Sequence, residues 1–486
     1  MDRRRPVILT AHPLQRIGAY ALSCLAGIER PEGRTAGLPD PQGLDVDGFD
    51  AAVAAMTEDA VRAALVRDTK VAAGFFLKCS MSFFPNSKMN HPSNANRSDE
   101  EIAERVRAWR KPQRSVQSGS GAVGCVLCSQ PAAGFFGKTD VPLAESDVYR
   151  NTTPRGHDGM ALCWACVCCF YALPYGSWLT GGPSVAVHSW DEDFLAATVA
   201  AQVRLTRQLV EIGSAAGPAL EAREVLALRA LRGHQHELTA GVELLVYGNN
   251  NRGPVLEVYG LDQALAEWLR RTSQRSGLRR GFRALLRAHR TAKEPGYVGL
   301  ARNAFRSPQR IPGGCAVWLA TAVLRPGRAE REDEAVALAG LCFDYADKVM
   351  LMDKDDLDEI RATGRRIATI LQGERSSGKL REFYARFKDS GRLRSWLQRG
   401  AVEWLGRPRD GQDGPLVSTR GFALLFDPDF DNPAWFHRQM LLVSVTEELF
   451  HLGWRPEGSF DDGAEELPEL DVKDNEFAGD GGRDER

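Results

Sequence analysis

The sequence predicts an α+β protein: a mixed N-terminal α/β domain, an inserted four-cysteine zinc-binding module, and an all-α C-terminal bundle. Three observations predict it. Two C-x-x-C pairs, Cys125/Cys128 and Cys163/Cys166, are separated by 34 residues. An alternating β-hairpin pattern lies at 243–259, among helical stretches. Beyond about residue 326 the apolar residues recur at helical spacing. The expected division is 1–114 (N-terminal α/β part), 115–180 (inserted zinc module), 181–325 (continuation of the N-terminal domain, with hairpin and basic helix), 326–455 (helical bundle) and 456–486 (acidic disordered tail).

Taken in order, residues 6–26 read as a short strand leading into a helix, small and apolar from Gly18. Residues 47–68 form an amphipathic helix through Phe49, Val53, Met56, Val61 and Leu65. The polar stretch 85–99, with four asparagines, reads as an exposed loop. Ser98 followed by Glu101 reads as a capping box opening a helix to Trp109. The run 117–121, rich in Gly and Ser, marks a flexible start of the zinc module. Residues 190–232 and 261–292 are helical in pattern, and a Gly/Asn loop at 248–253 closes the hairpin. Bundle helices are expected at 336–352, 357–371, 380–387, 393–405 and 435–450.

Each C-x-x-C knuckle lets two sulfurs reach one ion, and four thiolates complete the tetrahedral shell that suits Zn2+. The spacer is longer than the roughly 15–20 residues of a compact zinc ribbon, so a ribbon with a long inserted loop is expected. A closed four-sulfur shell leaves no position for water or substrate, so the site is structural. The competing readings are four buried cysteines or a redox pair. A redox C-x-x-C needs a βαβ context, and one pair would suffice. The second knuckle, Cys163-Trp164-Ala165-Cys166-Val167-Cys168-Cys169, offers spare sulfurs, so Cys168, Cys169 or His157 could replace one ligand. Ser129 and Val167 stand where a glycine often follows the second cysteine of a knuckle.

The net charge of −2 hides an asymmetry. The last 31 residues carry 12 Asp/Glu and 3 Lys/Arg, which leaves 59 basic and 52 acidic residues in the rest. A basic body with an acidic tail is a mark of nucleic-acid association, with the tail as an internal competitor, but a solubilising disordered tail is the simpler reading of the tail itself. Ten clustered cysteines without a signal-peptide pattern point to a reducing cytoplasm. The longest apolar run, 161–174, is too short to span a membrane.

Residues 270–310 contain twelve Arg/Lys and one acid, Glu294. On a helix, Arg279, Arg283, Arg287 and Arg290 share a face. Such a stripe suits the phosphates of a polyanion, unless partners elsewhere in the fold neutralise it. In the 85–99 loop, Asn86, Lys88, Asn90 and Asn94 carry donors that suit base edges, although asparagine also favours ordinary turns. No phosphate-loop, H-E-x-x-H or G-x-S-x-G motif is present. His234-Gln235-His236 reads as surface or cap, and the acids from Asp353 to Asp358 read as helix N-terminal charges. No enzyme is expected.

In their order, several of these pieces resemble the large subunit of type I CRISPR effector complexes (Cascade), in the C-x-x-C…C-x-x-C class usually found in subtype I-B. They are Thr10-Ala11-His12-Pro13-Leu14 with Gly18 and Ala19, then Phe83-Phe84-Pro85-Asn86-Ser87, then the two knuckles. Gly159-Met160-Ala161-Leu162-Cys163 leads the second knuckle, Pro174 follows it, and the hairpin comes after. The resemblance covers roughly residues 6–310, and the helical remainder agrees in kind. It implies a non-catalytic subunit near the 5′ end of a crRNA. Such a subunit inspects duplex DNA for a short protospacer-adjacent motif, aids R-loop formation and recruits a helicase–nuclease. Implied partners are the crRNA, target double-stranded DNA, the backbone, guide-5′-end and small Cascade subunits, and that helicase–nuclease. Asn86, Lys88, Asn90 and Asn94 are then the expected motif readers, and the arginine stripe the phosphate contacts. The rival readings are a stand-alone zinc-ribbon nucleic-acid-binding regulator and, further off, a zinc- or dithiol-dependent enzyme.

Overall fold

Why residues 13–26 fold as a helix is visible at both ends. Helix α1 (Pro13–Ala26) starts at His12, whose ring accepts from the Gln15 amide, has proline in its first turn, and stops at Gly27 in the left-handed conformation (φ 69°). The computed structural model describes residues 6–31, 33, 36–66, 83–84, 87–111, 117–118, 121–143, 159–180, 182–212, 222–250, 253–324, 332–373, 377–387, 389–407, 414–429 and 432–454. The acidic tail, Asn86 and His157 lie outside these residues.

The strand expected before α1 is absent. Residues 7–10 form no strand and pair with none among the described residues. The buried amide of Gln15 replaces one: its Oε1 accepts from the Thr10 amide and hydroxyl, and its Nε2 donates to Ile8 O. Helix α2 (Val46–Leu65) is capped by Asp45 and buries Phe49, Val53, Met56 and Val61, the apolar face the spacing predicts. Helix α3 (Asp99–Trp109) opens with the capping box of Ser98 and Glu101, both bonds being present.

Two small antiparallel sheets follow. Strands β1 (Gln117–Ser118) and β2 (Gly121–Ala122) pair, and β3 (Gly134–Phe136) pairs with β4 (Met160–Leu162). Helix α4 (Trp164–Ala172) is apolar on every side and buried from Cys166 to Ala172. It packs on α1 at Gly18, where a Cβ would come 1.9 Å from the Cys169 carbonyl oxygen. Only glycine allows that approach. Strand β5 (Ser184–Ser189), helices α5 (Glu192–Glu211) and α6 (Glu224–Gly233), and strands β6 (Val242–Asn250) and β7 (Gly253–Leu261) complete the first unit. The sheet order is β5-β6-β7, all antiparallel, with β6 central. The hairpin pairs out to Asn250 and Gly253, so its strands run further into the Gly/Asn segment than expected. Leu245 and Tyr247 put one face of this sheet into the same core as Ile17, Leu22 and Phe170.

The chain divides into two compact units between Gln263 and Ala264. The basic segment, expected to continue the N-terminal domain to 325, therefore belongs with the helices that follow it. These are α7 (Gln263–Gln274), α8 (Arg279–Ala288), α9 (Gly296–Arg306), α10 (Arg310–Leu324), α11 (Glu332–Lys348), α12 (Lys354–Gln372), α13 (Ser377–Arg386), α14 (Ser390–Leu405), α15 (Thr419–Phe426) and α16 (Ala434–His451). Helix α16 is apolar nearly all round and central, packing on α10, α11, α12 and α15. Asp353 caps α12, and Arg420 bonds Asp356 in its first turn, so these acids serve a helix start. A mixed α/β N-terminal region carrying an inserted four-cysteine cluster, followed by an α-helical bundle, is thus the observed architecture. No helix among the described residues is long and apolar enough to cross a membrane.

Candidate metal centre

The first knuckle is a tight turn closed by backbone bonds. The Cys125 amide donates to Gln130 O (2.7 Å), the Ser129 amide to Cys125 O (2.9 Å), and the Ala132 amide to Val123 O (2.8 Å). Ser129 takes the left-handed conformation (φ 62°), the geometry for which a glycine is usual at that place. The Val126 amide donates to Ala161 O and the Ala133 amide to Leu162 O, which ties this knuckle to β4. Strand β4 then delivers Cys163 to the N-cap of α4, where its sulfur accepts from the Cys166 amide at 3.4 Å. At the turn into β4, Gly159 has φ 123°, and a Cβ there would strike the Phe136 carbonyl.

These constraints bring Cys125, Cys128, Cys163 and Cys166 together, with all four sulfurs within 4.8 Å of one another. Cys128 Sγ is 3.4 Å from Cys163 Sγ and 3.7 Å from Cys166 Sγ. A tetrahedral ion with metal–sulfur bonds of about 2.3 Å separates its sulfurs by about 3.8 Å, so the arrangement fits. Cys125, Cys163 and Cys166 are buried and Cys128 is partly exposed. Hydrogen bonds from the Cys163 and Cys166 thiols hold Cys125 far below the ordinary thiol range. The same bonds raise Cys163 and Cys166, which act as donors. A cation in the centre would take the place of those shared protons. The α4 N-terminus, with its free amides and positive dipole end, favours thiolates here.

Cys168 and Cys169 do not join the cluster. Both are completely buried further along α4, burial pushes both thiols up, and Gln15 Nε2 lies 3.6 Å from Cys169 Sγ. The four cysteines of the two C-x-x-C pairs are thus the only metal-holding group among the described residues.

The expected base-reading loop is built differently from the sequence expectation. Asn94 is buried, and its Nδ2 donates to Lys88 O (2.9 Å) and Met89 O (3.3 Å). Asn90 Nδ2 donates to Phe84 O (3.2 Å). Both amides hold the loop's own backbone, the turn chemistry that competes with base recognition. Lys88 and Asn96 are exposed.

The arginine stripe is divided. Helix α8 ends at Ala288, so Arg290 stands beyond the helix and not on its face. Arg287 pairs with Glu334, Arg280 with Asp333 (2.8 Å) and Arg271 with Asp344, all acids of α11. Arg279, Arg283 and Arg290 are exposed and have no ion pair among the described residues. The sequence signal missed this division because the neutralising acids lie more than forty positions away.

Comparison with known proteins adds no relative: no family model matches the chain, and no curated protein and no solved structure matches it.

Proposed function

We propose that this chain is a non-catalytic, zinc-stapled nucleic-acid-binding protein, and within that class the large subunit of a crRNA-guided type I CRISPR surveillance complex. The observation that carries the nucleic-acid reading is the set of exposed arginines, Arg279, Arg283 and Arg290, without acid partners among the described residues, while Arg271, Arg280 and Arg287 are paired. Uncompensated guanidinium groups repel one another, and phosphate oxygens relieve that repulsion with charge-assisted, bidentate bonds. Four converging thiolates are the donor set of structural Zn2+, and a shell filled by protein sulfur has no place for a substrate. The finer identity is supported by the order of the N-terminal, Phe83-Phe84, knuckle and hairpin segments.

On this reading base pairing to the crRNA supplies most of the sequence specificity, and the protein adds backbone attraction and a shallow reading of the adjacent motif. Lys88 and Asn96, the outward donors of the 87–97 loop, are the residues offered to that motif. Cutting falls to the helicase–nuclease partner, in the cytoplasm.

Duplex-DNA binding by Arg279→Ala and Arg283→Ala, followed across salt concentration, tests the nucleic-acid reading. Each change should weaken binding on every sequence and reduce the salt slope by about 1. An unchanged slope refutes it. Co-expression with the neighbouring genes tests the finer identity. A purified particle containing this chain, a crRNA and the other subunits is expected. A chain that binds DNA but never enters such a particle keeps the first reading and loses the second.

A further inference from the structure

Charge is not spread evenly over the two units. Residues 1–263 hold 26 Lys/Arg and 28 Asp/Glu, whereas residues 264–455 hold 33 and 24. The basic excess therefore belongs wholly to the second unit. Residues 456–486, attached to that unit, hold 12 acids and 3 bases, an equal and opposite excess. A tail that served solubility would move the net charge away from zero. This one does the reverse: without it the chain has 59 bases against 52 acids, and with it 62 against 64. Its charge is matched to the second unit rather than to the solvent.

The surface that it matches runs from the end of α7 to the start of α9. Arg275, Arg279, Arg283, Arg290 and Lys293 are exposed there and have no ion pair among the described residues. The neighbouring acids are engaged: those of α11 hold Arg271, Arg280 and Arg287, and Glu294 pairs with Arg302. Arg279 and Arg283 stand four apart on α8, so their charges share a face and repel. The acidic segment can reach them. The chain leaves α16 through Gly453 (φ 62°) and the buried Trp454, and α11 packs on both α16 and α8. With packed helices about 8–10 Å apart and each under about 30 Å long, α8 lies within roughly 60 Å of that exit. Thirty-one residues span up to about 100 Å.

We infer that the acidic segment 456–486 occupies the α8 arginine face and competes there with the phosphates of nucleic acid. The competition rests on the nucleic-acid reading; the contact itself does not. Tethering holds the carboxylates near the face at a roughly millimolar effective concentration. Each exposed carboxylate–guanidinium pair is weak and screened by salt. The segment therefore yields to a duplex, whose phosphates form a denser line of charge, and excludes short or isolated phosphates. The result is a threshold: only a continuous stretch of backbone displaces it.

The test compares the unaltered full-length chain with a variant combining Asp461→Asn, Asp462→Asn, Glu465→Gln, Glu466→Gln and Glu469→Gln, which keeps the length of the segment. Phenylglyoxal, which modifies free guanidinium groups, is applied without nucleic acid, and the modified positions are read by mass spectrometry. In about 50 mM salt Arg279 and Arg283 should react about threefold to tenfold faster in the variant, and in about 500 mM salt at the same rate, because added ions screen the contact. Arg287, paired with Glu334, should react alike in both proteins. Duplex-DNA binding is then measured on the same pair. The variant should bind about threefold to tenfold tighter in about 50 mM salt, with a steeper salt slope, since DNA then displaces salt ions rather than carboxylates of the chain. Equal low-salt modification of Arg279 and Arg283, or equal DNA affinity, overturns the inference and leaves the nucleic-acid reading in place. DNA binding by neither protein sinks that reading and the competition with it.

Discussion

His289 follows the last turn of α8, completely enclosed, with its Nδ1 donating to Leu285 O at 3.0 Å. Its Nε2 is buried with no partner among the described residues, so a proton added there would find no acceptor, and α10 comes up against the ring at Gly314. Burial therefore lowers the imidazole from its usual 6.5 to about 4, the bond to Leu285 opposing this only in part. The sign follows from proton counting. Between those two values the unfolded chain binds a proton that the folded chain refuses, so stability is full above pH 6.5 and falls as the pH drops toward 4. At pH 5 the loss from this one residue is about 2 kcal/mol. Urea unfolding at pH 7 and pH 5 should show that loss in the unaltered protein. In His289→Gln it should shrink by most of this amount, whatever the variant's stability at pH 7. An equal pH 7-to-5 loss in both proteins would rule out His289 as its source.

At the level of the element, α8 separates two kinds of arginine that look alike in sequence. Arg287 is half-buried and pairs with Glu334 of α11, whereas Arg279 and Arg283 face solvent. Replacing Arg287 with alanine should leave the salt slope of DNA binding unchanged and cost under about 1 kcal/mol of stability in chemical denaturation. A slope that falls as it does for Arg283→Ala would put Arg287 on the binding face after all. The helical character of α8 was legible because its apolar residues Phe282 and Leu285 stand three apart, on the side that is buried. Its end and its neutralised arginines were not, because both depend on contacts distant in sequence. The same rule explains the N-terminus. The apolar run 7–9 reads locally as a strand, yet Gln15 takes up its free backbone groups and no strand pairs with it. Asn90 and Asn94 were recognisable as loop residues, but which carbonyls they would bond was set by the folded path of 84–89. The burial of Arg110 carried no local signal, since the rings its guanidinium lies over, Phe84, Trp109 and Tyr171, come from three separate segments. The cysteine cluster could be read most completely because metal geometry restricts spacing within each knuckle, so two short local patterns specify a long-range contact.

For the whole molecule the cluster matters through what it fastens. Cys125 and Cys128 sit on a turn bonded to β4, while Cys163 and Cys166 begin α4, and α4 lies against α1 in the core of the first unit. The loop between the two knuckles spans 34 residues, so closing it without a cross-link carries a large entropic cost. Because the unfolded chain holds no preformed site, the affinity of an ion held by the four sulfurs would add directly to the folding free energy of this unit. The second unit has its own core around α16 and contains none of the four ligands. Chelation of the metal at neutral pH should therefore act unequally. Amide hydrogen exchange should lose protection first at 123–136 and 159–172, and then in α1, whose Gly18 rests on the Cys169 backbone. Protection in α10, α12 and α16 should stay as it was. Cys163→Ser should reproduce the pattern without a chelator, since it removes a ligand while its hydroxyl can still cap α4. Unchanged protection around both knuckles after complete metal removal would mean that packing alone holds the four thiols together, and the cluster would no longer count as a staple.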